Sequence, residues 1–481
     1  MRIHLIGICG TGMASLAGML KSSGHEVQGS DQNVYPPMST TLEQAGIPVF
    51  TPYDAKNLDP APDLVIVGNA ISRGNPEAEE VLAKNISHLS MPQALAKFFL
   101  PHKTPLVVAG THGKTTTCSL LAWVLQSAGR DPSYFIGGLP KNFGTNFKLG
   151  KGEFFVLEGD EYDTAFFDKG PKFLHYQPRH VLLTSIEFDH ADIYRDLEHV
   201  KSSFRKLLEI IPQDGTLTAN LDFPAVVELS QAFGGAQQTY ATQETWQSKV
   251  DYFGELLKTG EETEFCVVTR EKGKECCHHQ VNWKIPGAHN VSNALGVVAL
   301  CFKLGLKWDE ILKGLVSFQG VKRRQDLIGE IEGIAVIDDF AHHPTAVKET
   351  VGAVKRQYPG RRLWAVFEPR SNSSKRDVFQ QDYPPAFAEA DQVILADVFM
   401  PEKVKEGKVL DVEKIVAEIN HAATKARHLS GVDAIIELLT AESRSGDVLL
   451  LMSNGGFGGI HQKLLASLTQ KLKGTAGKAI A

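Results

Sequence analysis

The chain has 481 residues, 43% hydrophobic and 22% charged, which is the make-up of an ordinary globular protein with room for about three domains. A formal net charge of -6 excludes bulk attraction to nucleic acid or to an anionic membrane. No apolar run is long enough to cross a bilayer, the start lacks a secretory h-region, and six scattered cysteines do not form a disulfide framework; the expectation is a reducing cytoplasm.

"RIHLIGI" reads as a first strand, and "GTGMASLAGMLKSSG" as a helix closed by Gly24. "HEVQGSD" is a second strand ending in Asp31, and "PDLVIVGNA" a third with Asn69 at its carboxyl end. Gly7, Gly10 and Gly12 are spaced G-x-x-G-x-G, whereas the dinucleotide fingerprint is G-x-G-x-x-G. Strand, glycines and helix still suit a pyrophosphate at a helix N-terminus. A nucleotide sugar fits better than NAD, and glycines that merely allow tight packing are the third reading. "KFFLPHKTP" reads as a connector.

A second unit starts at "PLVVAGTHGKTTTCSLLAWVLQSAG". Two residues, Thr111 and His112, separate Gly110 from Gly113, where the common phosphate loop has four. Lys114 is placed for the β- and γ-phosphates, Thr115 for Mg²⁺, and Thr116 continues the loop into a helix. The next strand ends in "LEGDEYD", where Glu158 leads Asp160, Glu161 and Asp163; so dense an acidic patch points to nearby cations. Glu158 is the candidate metal ligand. "SIEFDHAD" brings Glu187, Asp189 and His190 to another strand end, with His190 a candidate for a second cation. The stretch 237–284 is β-like. Within it "CCHH", Cys276 to His279, looks like a ligand set, but neighbours on a strand face opposite ways and do not converge. "GAHNVSNA" places Asn290 and Asn293 at a helix start, as caps or as partners for an adenine edge.

"GVKRRQDL" offers Arg323 and Arg324 at a domain boundary, suited to reaching a γ-phosphate. "DDFAHHPTA" offers Asp339, His342 and His343, with Asp338 and Asp339 equally suited to strand-end capping. Strands and helices alternate from there to "GDVLLLMSNGGFGGIHQKLLASL". After "RRLWAVFEPR", Arg370, Ser371, Asn372 and Lys375 can recognise a carboxylate, and "SNGGFGG", with Asn454, can add backbone donors. The whole reads as three mostly parallel α/β domains with ligands at the carboxyl ends of strands.

Taken together, "GTHGKTTT", "LEGDEYD", "IEFDHAD", "HNVSNA", "GVKRRQD" and "DDFAHHPTA" resemble the Mur ligase family, the ATP-dependent amide-forming ligases of peptidoglycan synthesis. The short phosphate-loop gap is that family's own variant. The resemblance implies a Rossmann-like UDP-substrate domain (1–103), a central P-loop ATPase-like domain (104–320) and a Rossmann-like peptide-binding domain (321–481). It implies ATP and Mg²⁺, with Gly110, Thr111, His112, Gly113, Lys114, Thr115 and Thr116 on the phosphates and Glu158 and His190 on metal. It places Asn290 and Asn293 at adenine, Arg324 or Arg323 at the γ-phosphate, and Asp339 and His342 at the nucleotide. Gly10, Thr11, Gly12, Asp31 and Asn69 would face UDP-N-acetylmuramate. Several members carry a carbamylated lysine after the metal histidine; Lys201 and Lys206 lie there without an alignable motif. "EPRSNSSK" and "MSNGGFGGIHQKL" are similar to members that take the tripeptide L-alanyl-γ-D-glutamyl-meso-diaminopimelate, which puts Arg370, Asn372, Lys375 and Asn454 on the acceptor. An L-alanine-adding ligase, an NAD-dependent dehydrogenase and a P-loop switch or motor are the alternatives. The acyl-phosphate chemistry of such a ligase requires water to be excluded, so the last domain is expected to close over ATP about a hinge near Gly320.

Overall fold

The computed structural model describes the chain apart from residues 36–37, 272–273, 405–406, 423 and 479–481. Its first sheet is parallel, in the order Val49–Phe50, Glu26–Ser30, Arg2–Ile6, Leu64–Val67, His88–Ser90. Leu64–Val67 is buried throughout, as a parallel strand covered on both faces must be. Gly10 caps helix Thr11–Ser22 at the carboxyl end of the first strand. Gly29 is required in the second strand, because a Cβ there would lie 2.5 Å from the Leu5 carbonyl oxygen. "KFF" belongs to a helix and not to a connector: Met91–Phe99 starts with a Ser90/Gln93 capping box, which satisfies amide donors at its N-terminus.

The central sheet has ten strands, parallel in the middle and antiparallel at both ends. Thr104–Ala109 lies between Phe154–Gly159 and His180–Leu183, so three strand ends open side by side. Helices Lys114–Ser127 and Ala288–Lys303 pack together behind them. Stretch 237–284 forms four strands. "CCHH" lies in the last, with Cys276, Cys277 and His278 exposed and His279 stacked on Trp308 at 4.1 Å. The third sheet has six strands, of which Asp326–Ile331 alone is antiparallel to its neighbour Ile334–Asp339.

Two seams position the site. At the first, a hairpin of strands Asp163–Ala165 and Asp168–Pro171 leaves the central sheet, and Phe166 and Phe167 at its tip pack on the N-terminal core beside Ile71. Ser15 Oγ also donates to Asn146 Oδ1 at 2.9 Å. At the second, Lys141 N donates to Gly320 O, Lys322 N to Leu139 O, and Val321 packs in the central core. Gly320, the expected hinge, is thereby fastened to the central domain. The backbone leaves that domain at Arg323 and Gln325, which are left-handed at φ 61° and 48°. No helix among the described residues is long and apolar enough to cross a membrane.

Candidate active site between the central and C-terminal sheets

The phosphate loop is held from behind. Thr111 N donates to Ser185 O, His112 N to Ser185 Oγ, and Thr184 Oγ1 to His112 O at 2.6 Å. Gly113 is left-handed at φ 82°, and a Cβ there would lie 2.5 Å from Asn293 Oδ1. Asn290 and Asn293 are buried and do not cap their helix: Asn290 Nδ2 donates to Pro286 O, and Asn293 Nδ2 to Asn290 Oδ1. Gly113→Ala should therefore raise the ATP concentration for half-maximal turnover about tenfold or more. A side chain at positive φ costs about 1–2 kcal/mol, and 1.4 kcal/mol is tenfold. Turnover measured against ATP concentration checks this.

Ahead of the loop, Lys114 Nζ donates to Gly110 O at 2.6 Å and pairs with Glu161 at 2.9 Å. Burial works to lower the Lys114 ammonium, but the carboxylates of Glu161, Asp160 and Glu158 outweigh it and hold it above its ordinary value. Thr115 Oγ1 donates to Glu158 Oε1 at 2.6 Å, and Gly137 N to Glu158 Oε2. Burial and then the charge of Asp160 push Glu158 up despite these donors. A carboxylate in that condition gains from a cation, and a hydroxyl beside a carboxylate at a phosphate loop is a hard-oxygen donor set that fits Mg²⁺.

His190 pairs with Glu161, 3.5 Å from Nε2 to Oε1, and not with Glu158. The sequence reading has Glu161 only as one acid of a patch; its central place is a tertiary fact. His112, Glu187 and His343 offer ligand atoms within 4.8 Å of one another. His343, however, uses both ring nitrogens: Nε2 bonds Phe188 O at 3.1 Å, and Nδ1 accepts from Thr345 N. The trio is better described as a polar contact between the central and C-terminal domains, to which Thr345 Oγ1 adds a bond to Glu187.

The two arginines separate. Arg323 turns into its own domain, bonding Asp338 at 3.2 Å and the carbonyls of Ser453 and Gly455 at 2.7 Å each. Arg324 lies over the Phe340 ring at 4.8 Å with no ion-pair partner among the described residues. Burial lowers its guanidinium, against the charges of Asp339 and Glu158. Asp339 accepts from Gln325 N and Ala341 N, both at 2.7 Å, so it shapes the turn that presents Arg324. His342 Nε2 is 3.8 Å from Asp189.

Of the acceptor candidates, Arg370, Asn372 and Lys375 lie on the loop after Arg362–Phe367, and Asn454 lies on the loop after Asp447–Met452. Arg370 sits over Phe399 at 3.6 Å, and Lys375 is buried without an ion-pair partner among the described residues. Burial, then Lys403, holds the Lys375 ammonium below its ordinary value. Asn454 Oδ1 is buried without a hydrogen bond. Asn372 instead donates to Asp192 at 2.8 Å, Ser373 to Asp189 at 2.6 Å, and Arg376 to Ala191 O. The loop is thus also the latch between the two domains. In the N-terminal domain Gly10, Thr11 and Gly12 open their helix and Asn69 is exposed. Asp31 accepts from Cys9 N and Asn33 N, both at 2.9 Å, so its carboxylate braces the glycine turn.

Comparison with known proteins covers nearly the whole chain. Residues 2–103 match "Mur ligase family, catalytic domain", 108–301 "Mur ligase middle domain", and 323–455 "Mur ligase, glutamate ligase domain". An Escherichia coli UDP-N-acetylmuramate–L-alanyl-γ-D-glutamyl-meso-2,6-diaminoheptandioate ligase is 42% identical, over 98% of this chain and 99% of its own. An Alkaliphilus metalliredigens UDP-N-acetylmuramate–L-alanine ligase is 32% identical, over 96% and 97%. The crystal structure of a murein peptide ligase from Psychrobacter arcticus superposes with a TM-score of 0.73 at 36% identity, covering 97% of this chain and 98% of that one.

Proposed function

The chain belongs to the Mur ligase family, whose members are ATP-dependent, ADP-forming amide ligases, and we infer that it joins UDP-N-acetylmuramate to L-alanyl-γ-D-glutamyl-meso-diaminopimelate in the cytoplasm, during peptidoglycan recycling. The observation that carries this is the loop from Arg370 to Arg376. It holds a buried Lys375 with no ion-pair partner among the described residues and an aromatic-backed Arg370, and it docks one residue from His190. A buried Lys375 without an ion partner among the described residues, beside an Arg370 whose only ion pair there is a long one to Glu368 at 3.6 Å, suits a peptide bearing several carboxylates more than a single alanine.

In the reaction the muramoyl carboxylate attacks the γ-phosphorus of ATP, giving an acyl phosphate and ADP. The peptide's α-amine then attacks the acyl carbon and releases phosphate. Lys114 neutralises charge on the transferred phosphoryl group from one side and Arg324 from the other. Thr115 and Glu158 would hold Mg²⁺, which supplies further charge neutralisation at the phosphates. The contacts of Ser373 with Asp189 and of His343 with Phe188 shut the C-terminal domain against the central one, keeping water from the acyl phosphate.

The test is ADP release with ATP and UDP-N-acetylmuramate present and either the tripeptide or L-alanine added. A strong preference for the tripeptide is expected. Preference for L-alanine would move the assignment to the ligase of new synthesis, and release without any acceptor would point to a switch or motor.

A further inference from the structure

Glu77 is fully buried in the first domain, and its carboxylate gathers partners from three separate segments. Ser30 Oγ, on the second strand, donates to Oε2, and His4 Nε2, on the first, lies 3.0 Å from the same oxygen. Asn57 Nδ2 donates to Oε1 at 2.7 Å, and Asp54 N does so at 3.2 Å. Burial pushes the Glu77 carboxyl up, but the bonds from His4, Ser30 and Asn57 outweigh it and hold it below its ordinary value. Helix Pro76–Ala83 does not need this charge as a cap, because Asn75 Oδ1 already accepts from Glu77 N and Ala78 N. Nor does the core need it, since well-packed apolar residues commonly replace a buried ion pair without loss of stability.

What the carboxylate holds is the segment that carries Tyr53. A Cβ on Gly7 would lie 4.0 Å from the Tyr53 hydroxyl, so the phenol stands at the glycine turn. Its hydroxyl is 3.5 Å from Asp31 Oδ1. Asp31 braces the turn through Cys9 N, and Ser30, the residue before it, is Glu77's own partner. Glu77 thus fixes both side chains that flank the turn, while none of its side-chain bonds reaches the turn itself.

We propose that Glu77 is a positioning residue for the UDP-N-acetylmuramate site. It sets Tyr53 and Asp31 against the glycine turn, and the Tyr53 hydroxyl donates to the diphosphate of the nucleotide sugar. The proposal rests on the UDP-N-acetylmuramate reading of the first domain. A phenolic O–H is a donor that suits a phosphate oxygen at a helix N-terminus. None of the side-chain bonds of Glu77 leaves the first domain, so the handling of ATP should be untouched.

The test measures UDP-N-acetylmuramate binding by calorimetry, beside steady-state kinetics and melting curves, on the full chain. Asn57→Ala removes one partner of Glu77 and leaves the carboxylate the others, so the fold should survive. It should weaken UDP-N-acetylmuramate binding and raise its KM about tenfold, the effect of losing one hydrogen bond to a charged group. The KM for ATP and kcat should stay at their wild-type values. Glu77→Gln, which turns an amide donor toward other donors, should weaken binding at least as much. Tyr53→Ala should do so too, and adding Asn57→Ala to it should cost nothing further, because residues that act through one another are not additive. Unchanged affinity in Asn57→Ala and Glu77→Gln, an equal loss for ATP, or losses that multiply in the double variant would each overturn the proposal. A wild-type chain that binds AMP-PNP but not UDP-N-acetylmuramate overturns the reading beneath it, and the proposal with it.

Discussion

Lys114→Ala is expected to cut ADP release by about 100- to 1,000-fold with all substrates present. The ammonium is the one side-chain cation that the phosphate loop itself supplies, and removing a single preorganised donor from such a site typically costs a factor of about 100–1,000. Its second effect is on the fold. Lys114 holds Glu161 below the usual carboxylate range against the opposing push of burial, and adds to the stronger hold of Lys172 on Asp160. Taking one partner from a buried ion pair costs about 3–5 kcal/mol. The melting temperature should therefore fall at neutral pH. The fall should shrink on acidification, because carboxylates with depressed pKa values contribute stability that is present at neutral pH and lost as they protonate. ADP release near the wild-type rate in Lys114→Ala would remove the loop from the chemistry.

Arg324→Ala should lower single-turnover ADP formation by about a thousandfold or more, within the range seen for arginines that meet a transferring phosphoryl group. Its structural cost should be small. The guanidinium has no ion partner among the described residues to orphan, and its stacking on Phe340 is worth about 0.5–2 kcal/mol. Arg324→Lys should rescue little, since a lysine lacks the planar fork and the stacking face. Arg323→Ala should show the opposite profile, with a lower melting temperature and a milder kinetic loss, because Arg323 bonds Asp338 and two carbonyls within its own domain. A thousandfold kinetic loss on Arg323→Ala with Arg324→Ala near wild type would exchange the two roles. Melting curves beside single-turnover kinetics separate these cases.

Much of the fold was legible because its signals are local. Apolar runs closed by glycine mark the strands and helices of all three sheets, and the acids of "LEGDEYD" and "IEFDHAD" fall at strand ends by counting alone. The helix Met91–Phe99 escaped notice although Ser90 and Gln93 announce it, because the Leu-Pro-His-Lys that follows reads so strongly as a connector. The site was less legible. Glu158 and Glu161 stand three apart, but the strand stops at Gly159, and alternation no longer says which way the later acid turns. Arg323 and Arg324 are neighbours of one type; the left-handed backbone at Arg323 that separates them has no residue signature, since glycine does not occupy it. Contacts such as Ser373 with Asp189, or His343 with Phe188, join residues more than 150 positions apart and leave no pattern in either segment.

The latch loop also bears on how such ligases diverge. Residues 370–376 carry the cations proposed for the acceptor and bind Asp189, Ala191 and Asp192. A change that widens acceptor choice will therefore alter the rate of domain closure as well. Turnover and selectivity are inherited as one trait here, and a loop exchanged between relatives will work only if residues 189–192 travel with it.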